Sequence, residues 1–287
     1  MRLATIRLPQ GGTAAARVTG DTATELGYPD VGALLAAGGL ASARTADGPV
    51  HAWADVPLAP VVPRPGKILC VGLNYRTHIL EMGRELPTAP TVFSKYPEAL
   101  VGPRDPVVIP PESQQVDWEG ELAVVVGETV RRADAATAQA AIAGYAVLND
   151  VTMRDWQYRT LQWLPGKSFE SSTPFGPVLV TPDEFALGGA LVTAVDGVEV
   201  QRTTTDDLVF GPAELISYLS TVMTLRPGDV IATGTPGGVG HARKPARYLT
   251  PGQILTTTVE GIGTLTNRVV AEALPLDATA EPVVSRT

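Results

Sequence analysis

Apolar positions along the chain fall in blocks of four to eight broken by Gly and Pro, a pattern that predicts many short strands and few long helices. The strongest block is residues 116–127, VDWEGELAVVVG, whose valines and flanking turn signals predict a buried strand. Two carboxylates interrupt it. Side chains alternate across a strand, so Glu119 and Glu121 share a face with Cβ atoms about 7 Å apart. An acid pair in an apolar sheet must be protonated, matched by cations or bound to a metal. The alternative is an edge strand whose glutamates face water.

Around this stretch the pattern sets out the rest of the chain. Residues 2–8 and 13–18 predict strands joined at Gln10-Gly11-Gly12, and 31–37 a short helix stopped by Gly38-Gly39. With the proline-rich stretch 57–65 as a linker, residues 1–62 are expected to form a small N-terminal α/β domain. The main body, 63–272, opens with the strand KILCVG and then RTHILEMG (76–83), a helix ended by Gly83. His78 and Glu81 lie three apart on it and share a face. A carboxylate beside an imidazole suits a general base, and it equally describes an exposed surface pair.

Strands are expected at 91–95 and 107–109, an alanine-rich helix at 133–142 with Asp134 near its start, and a strand at 143–150 that ends in Asp150. Thr152-Met153-Arg154-Asp155 has the spacing of a capping box, with Asp155 read as a cap on the helix that carries Gln157. Lys167, between Gly166 and Ser168, is either solvated, as lysines usually are, or a cation aimed into a site. Asp196-Gly197 predicts a hairpin, and 213–220 a short amphipathic helix. The glycine-rich loop 234–240 offers amides to an anion but lacks the lysine and spacing of a phosphate-binding loop, so nucleotide binding is rejected. Residues 273–287 read as a flexible tail.

Composition narrows the function. With 44% apolar and 18% charged residues the chain is globular, and 29 Gly and 25 Pro among 287 residues favour turns, so the fold class expected is β-rich α+β. A formal charge of −8 argues against nucleic acid or an anionic membrane surface as partner, and leaves room for a local cationic pocket. The single cysteine, Cys70, makes no intramolecular disulfide. The N-terminus lacks the apolar segment of a secretory signal, and no run approaches ~18 apolar residues. On these absences a cytoplasmic protein is expected.

Six separated stretches, taken together and in order, resemble the fumarylacetoacetate hydrolase family: GLNYRTH followed by Glu81 (72–81), VDWEGELAVVVG, GYAVLNDVTMRDWQ (144–157), GKSF (166–169), LRPGDVIATGTPGGVG (225–240) and VEGIGTLTN (259–267). The resemblance covers nearly all of residues 67–270. It implies a mixed β-sandwich roll and a divalent metal, Mg²⁺ or possibly Mn²⁺ in its place, held by Glu119, Glu121 and Asp150. Hard oxygen ligands suit either ion. It further implies a His78–Glu81 dyad that activates water or shuttles a proton on a lid helix, and Lys167 as a catalytic cation. Thr235, Gln157, Arg76 and Lys95 are the candidates for contact with substrate, a small 2-oxo or 1,3-diketo acid. A homodimer is implied as well. The activity expected first is Mg²⁺-dependent hydrolysis of a C–C bond in an acylpyruvate-like acid through a metal-stabilised enolate. The alternatives are a lyase or isomerase acting on 2-oxo acids, and, more remotely, a non-catalytic binding protein that has kept the fold.

Overall fold

The computed structural model describes residues 1–273 apart from Met82 and the side chain of Glu81. The expected tail therefore lies, from residue 274 on, outside the described residues. The chain opens with β1 (Arg2–Arg7), β2 (Thr13–Thr19) and β3 (Thr22–Glu25), followed by helix α1 (Val31–Ala36) and β4 (Val50–Ala52). Asp30 starts α1 by accepting the Ala33 amide at 2.7 Å, which satisfies one of the orphan donors of the first turn. Next come β5 (Ile68–Gly72), α2 (Arg76–Glu81), β6 (Thr91–Lys95), β7 (Leu100–Val101), β8 (Val107–Ile109) and β9 (Val116–Asp117). The central β10 (Gly120–Val126) is followed by α3 (Ala135–Ala140), capped by Asp134, and β11 (Ile142–Asn149).

Three short elements, β12 (Thr152–Met153), α4 (Arg154–Gln157) and α5 (Leu164–Lys167), precede β13 (Thr173–Val180). The hairpin β14 (Ala190–Val195) and β15 (Val198–Thr204) turns at Asp196-Gly197 as the pattern requires. The chain then runs through α6 (Pro212–Val222), β16 (Val230–Ala232), β17 (Ile254–Val259) and β18 (Gly263–Ala271).

The strands build one large sheet in the order β4-β3-β2-β1-β13-β11-β10-β16-β5-β6, with β7 beside β13, a second sheet β15-β14-β17-β18-β8, and the small pair β12-β9. Most neighbours are antiparallel, while β5–β16, β7–β13 and β8–β18 are parallel. This is the β-rich α+β roll that the sequence led one to expect.

β10 is buried at every position, which explains its unbroken apolar run. Leu122, Val124 and Val126 pack in one core with Leu215 and Leu219 of α6 and Leu191 of the second sheet. Ala123 and Val125 face the opposite core with Leu34 and Leu35 of α1.

The first 62 residues share the large sheet with the main body, because β1 pairs with β13 through Arg2↔Val180 and Leu3↔Leu179. The proline-rich stretch 57–65 is also packed: Val61 and Val62 are buried, and the Val61 carbonyl accepts the Thr5 hydroxyl at 2.7 Å.

Candidate metal centre and active-site cleft

Glu119 occupies the break between β9 and β10, Glu121 is the second residue of β10, and Asp150 follows the last residue of β11. The register Gly120↔Asn149 brings these strand ends together, and the Asp150 amide donates to the Glu119 carbonyl at 2.8 Å. One oxygen from each of the three carboxylates lies within 4.8 Å of the others, and all three residues are buried. The glycine between the two glutamates has a packing reason: a Cβ at Gly120 would fall 2.1 Å from the Thr193 hydroxyl of the second sheet. Its amide donates to Gln201 Oε1 at 3.0 Å.

Buried charge has to be matched, and most of it is. Lys167 Nζ bridges Glu119 Oε2 and Asp150 Oδ2, at 2.7 Å to each, and Lys95 Nζ holds Asp150 Oδ1 at 2.6 Å. The Arg154 guanidinium reaches Glu119 at 2.7 Å, Asp117 at 2.9 Å and Gln157 Oε1 at 2.9 Å. Glu121 is different. Its hydrogen bond comes from the Gly234 amide at 2.7 Å, and among the described residues no lysine or arginine pairs with it. Burial first, then the charges of Asp150 and Glu119, push its carboxyl well above the usual range.

Asp150 goes the other way: burial alone would raise it, but the Lys167 and Lys95 ammoniums hold it below its ordinary value. Burial likewise works against the Lys167 ammonium, and Asp150 and Glu119 more than reverse it, which holds Lys167 above its ordinary value. Four buried carboxylates, Asp117 included, thus face three buried cations. The excess acid lies in an all-oxygen donor set, which fits a hard divalent ion. Glu119, Glu121 and Asp150 would hold it.

A cavity of about 350 Å³ opens above Glu119 and Lys167. His78, Gln157 and Thr235 line it, as do Arg84, Arg154 and His241. The Thr235 hydroxyl donates to the Gly120 carbonyl at 3.0 Å and accepts from Gln201 at 2.9 Å, so its amide is the group left for a ligand. Lys95 is buried under Asp150 and does not border the cavity, and Arg76 is exposed on α2 outside it. Neither is placed to touch a substrate. The reason is the same for both: the resemblance marked them as available cations but not the side of the acid cluster on which they lie. The side chain of Glu81 is outside the described residues, so the expected dyad has only His78 in view.

Two local readings change. Lys167 is buried rather than solvated, because α5, which ends on it, packs against β6 and its ammonium lies between Glu119 and Asp150. Asp155 does not cap α4; it accepts the Ser113 hydroxyl at 2.7 Å and the Gln114 amide at 3.3 Å, tying down the loop ahead of β9. Asp117 was missed as well. It accepts the Gly240 amide at 2.6 Å, the His241 amide at 2.9 Å and Arg154, and so fastens the glycine-rich loop to the metal centre. A third acid in the run QQVDWEGE was the available signal.

The family model described as fumarylacetoacetate hydrolase C-terminal matches residues 67–270. The chain belongs to the fumarylacetoacetate hydrolase family. It is an enzyme, of a family that acts on small molecules and is typically dependent on a divalent metal. A rat relative in this family, named mitochondrial oxaloacetate tautomerase Fahd2a, is 44% identical over 216 residues, covering 74% of this chain and 69% of its own. A solved structure of 5-carboxymethyl-2-hydroxymuconate delta-isomerase from Mycobacterium smegmatis is 36% identical with a TM-score of 0.80, over 96% of this chain and 100% of that one. A fumarylacetoacetate hydrolase from Exiguobacterium antarcticum is 33% identical with a TM-score of 0.84, over 95% and 100%.

The expectation of a cytoplasmic protein is overturned by the rat relative and by bovine and human relatives, all named mitochondrial, which point to that compartment instead. It had rested on missing signals, and a lone thiol or a lack of spanning segments does not separate one reducing compartment from another. Among the described residues no helix is long and apolar enough to cross a membrane.

Proposed function

We propose that this enzyme moves a proton on the carbon next to the keto group of a small 2-oxo acid, interconverting its keto and enol forms with Mg²⁺, or Mn²⁺ in its place. The observation that carries the reading is Glu121, a buried acid without a cation partner among the described residues, in a carboxylate trio whose member Glu119 borders a cleft that also holds His78. A divalent ion held by Glu119, Glu121 and Asp150 would supply positive charge where the keto oxygen gains negative charge. His78 would take the C3 proton as the electron pair moves to the keto oxygen, and would return a proton to that oxygen or to C3. Lys167 and the Thr235 amide would hold the carboxylate beside the keto group, and Gln157, fixed by Arg154, would contact the keto oxygen. The dyad's second member, Glu81, would orient the imidazole.

The names of the rat and Mycobacterium smegmatis relatives, a tautomerase and an isomerase, support placing proton transfer ahead of the C–C hydrolysis that the motifs first suggested. Hydrolysis remains the second reading, favoured by the Exiguobacterium antarcticum relative. In that case His78 would activate water against the distal carbonyl of a diketo acid. Proton NMR in D₂O separates the two: exchange at C3 of a 2-oxo acid that needs Mg²⁺ and stops with chelator supports proton transfer. Two acids released from an acylpyruvate with no C3 exchange would overturn it. A homodimer belongs to the same proposal on the family resemblance alone, and sedimentation velocity checks it.

A further inference from the structure

We propose that Arg84, assisted by His241, reads a second carboxylate at the far end of the substrate, so that the cleft selects short dicarboxylic 2-oxo acids over monocarboxylic ones. This rests on the 2-oxo acid reading above and names its substrate class.

Charge points the same way as position. In a chain of net −8, the cavity wall carries His78, Arg84, Arg154, Lys167 and His241 against one acid, Glu119. Arg154 and Lys167 are already committed to Asp117, Glu119 and Asp150. Arg84 is not: it forms no salt bridge or side-chain hydrogen bond with any described residue. A cation facing a cavity without a partner gains most from an anion arriving there, and a guanidinium pairs with a carboxylate through two parallel bonds.

The backbone sets where Arg84 stands. The Gly83 amide donates to the Leu80 carbonyl at 2.9 Å and the Arg84 amide to the Ile79 carbonyl at 3.2 Å, the paired bonds that close a helix end with Gly83 at φ +67°. Only glycine takes that conformation cheaply. Ile79 is buried, so the turn that carries Arg84, just past the end of α2, is anchored to the helix that holds His78. His241 is held from two sides, its amide by Asp117 at 2.9 Å and its Nδ1 by the Tyr248 hydroxyl at 2.9 Å, which leaves Nε2 for a ligand. Val71, Leu73, Phe93 and Trp163 line the same cavity and suit the short carbon chain between two polar ends.

The test compares oxaloacetate with 2-oxobutanoate, in which a methyl replaces the second carboxylate, on Mg²⁺-loaded enzyme. Affinity is read by calorimetry and C3 exchange by NMR. Wild type is expected to bind the diacid at least about tenfold tighter, Arg84→Gln to cut that ratio to about two or less, and Arg84→Lys to keep part of it. The ratio should also shrink with added salt, as for an exposed charge pair. Equal binding of the two acids by wild type, or an unchanged ratio in Arg84→Gln, overturns the assignment. If the ratio is present and lost in Arg84→Gln while neither acid exchanges at C3, the carboxylate reader stands and the proton-transfer reading falls. Exchange of both acids with equal kcat/KM leaves proton transfer standing and removes the reader.

Discussion

The floor of the cleft and its rim are built on opposite principles. On the floor, Glu119, Glu121 and Asp150 project from the ends of β10 and β11, and Lys95, Lys167 and Arg154 are locked against them at 2.6–2.9 Å with little exposure. At the rim, Arg84 and His241 sit exposed on the end of a six-residue helix and on a glycine-rich loop. Buried charges are costly to move and so commit to one geometry, which suits a metal. Solvated charges keep rotamer freedom and can be exchanged without unfolding anything, which suits the choice of substrate. The floor should therefore answer mutation with loss of metal, activity or stability, and the rim with a change of preference.

The largest effect expected is on the floor. Glu121→Ala or Asp150→Ala should abolish Mg²⁺ binding in a calorimetric titration and lower C3 exchange by about 10³-fold or more, in line with loss of metal chemistry. A variant that keeps full turnover with chelator present would break the comparison at its root. His78→Asn comes next: about 10²–10⁴-fold slower exchange is typical for loss of a general base, with Mg²⁺ affinity held within about twofold. Unchanged exchange would mean that another group moves the proton.

Lys167→Met leaves Glu119 and Asp150 facing each other without their shared cation. It should cost the metal-free protein about 3–5 kcal/mol by urea unfolding, and less with Mg²⁺ present. Glu121→Gln should do the reverse, stabilising the metal-free protein at pH 7 by about 1–3 kcal/mol, because it removes a buried acid that, among the described residues, has no cation partner. The sign follows from the raised carboxyl. Between the ordinary glutamate value of 4.5 and its higher folded value, the folded state holds more protons than the unfolded, so metal-free stability falls as pH rises through that window. Asp150, depressed below 3.8, contributes stability above that pH and loses it only as pH falls through its lower folded value, outside the same window. Mg²⁺ or Glu121→Gln should flatten the slope; a stability that climbs across the window in metal-free wild type would contradict it. The smallest effect is expected away from the cleft floor, where Asp155→Ala releases the 113–114 loop and should cost about 1 kcal/mol.

Much of the floor could be read from residue order, because it is coded locally. Two acids in an apolar run announce themselves, but strand alternation does not place both: Glu119 lies in the break before β10, and the bond from the Asp150 amide to its carbonyl brings it to the trio. Asp150 at the end of an apolar strand is legible in the same way. Lys167 was harder, since a lysine between glycine and serine looks solvated until the fold turns the end of α5 towards Glu119 and Asp150. Arg84 and His241 carried no local signal at all. They lie 157 positions apart in sequence and border one cavity only because α2 and the glycine-rich loop meet beside β10.

Residue order by itself therefore determined the strand-rich class, the order of the central elements, the acid trio and the helix end at Gly83, since each depends on periodicity or on a few neighbouring residues, while the strand expected over 116–127 is broken at residues 118–119. Tertiary structure decided which cations neutralise which acids, that Lys95 lies beneath the cluster and Arg76 outside the cleft, and that residues 1–62 extend the large sheet. Those are distances between remote segments, and charge pairing in a low-dielectric interior depends on such distances rather than on position in the chain.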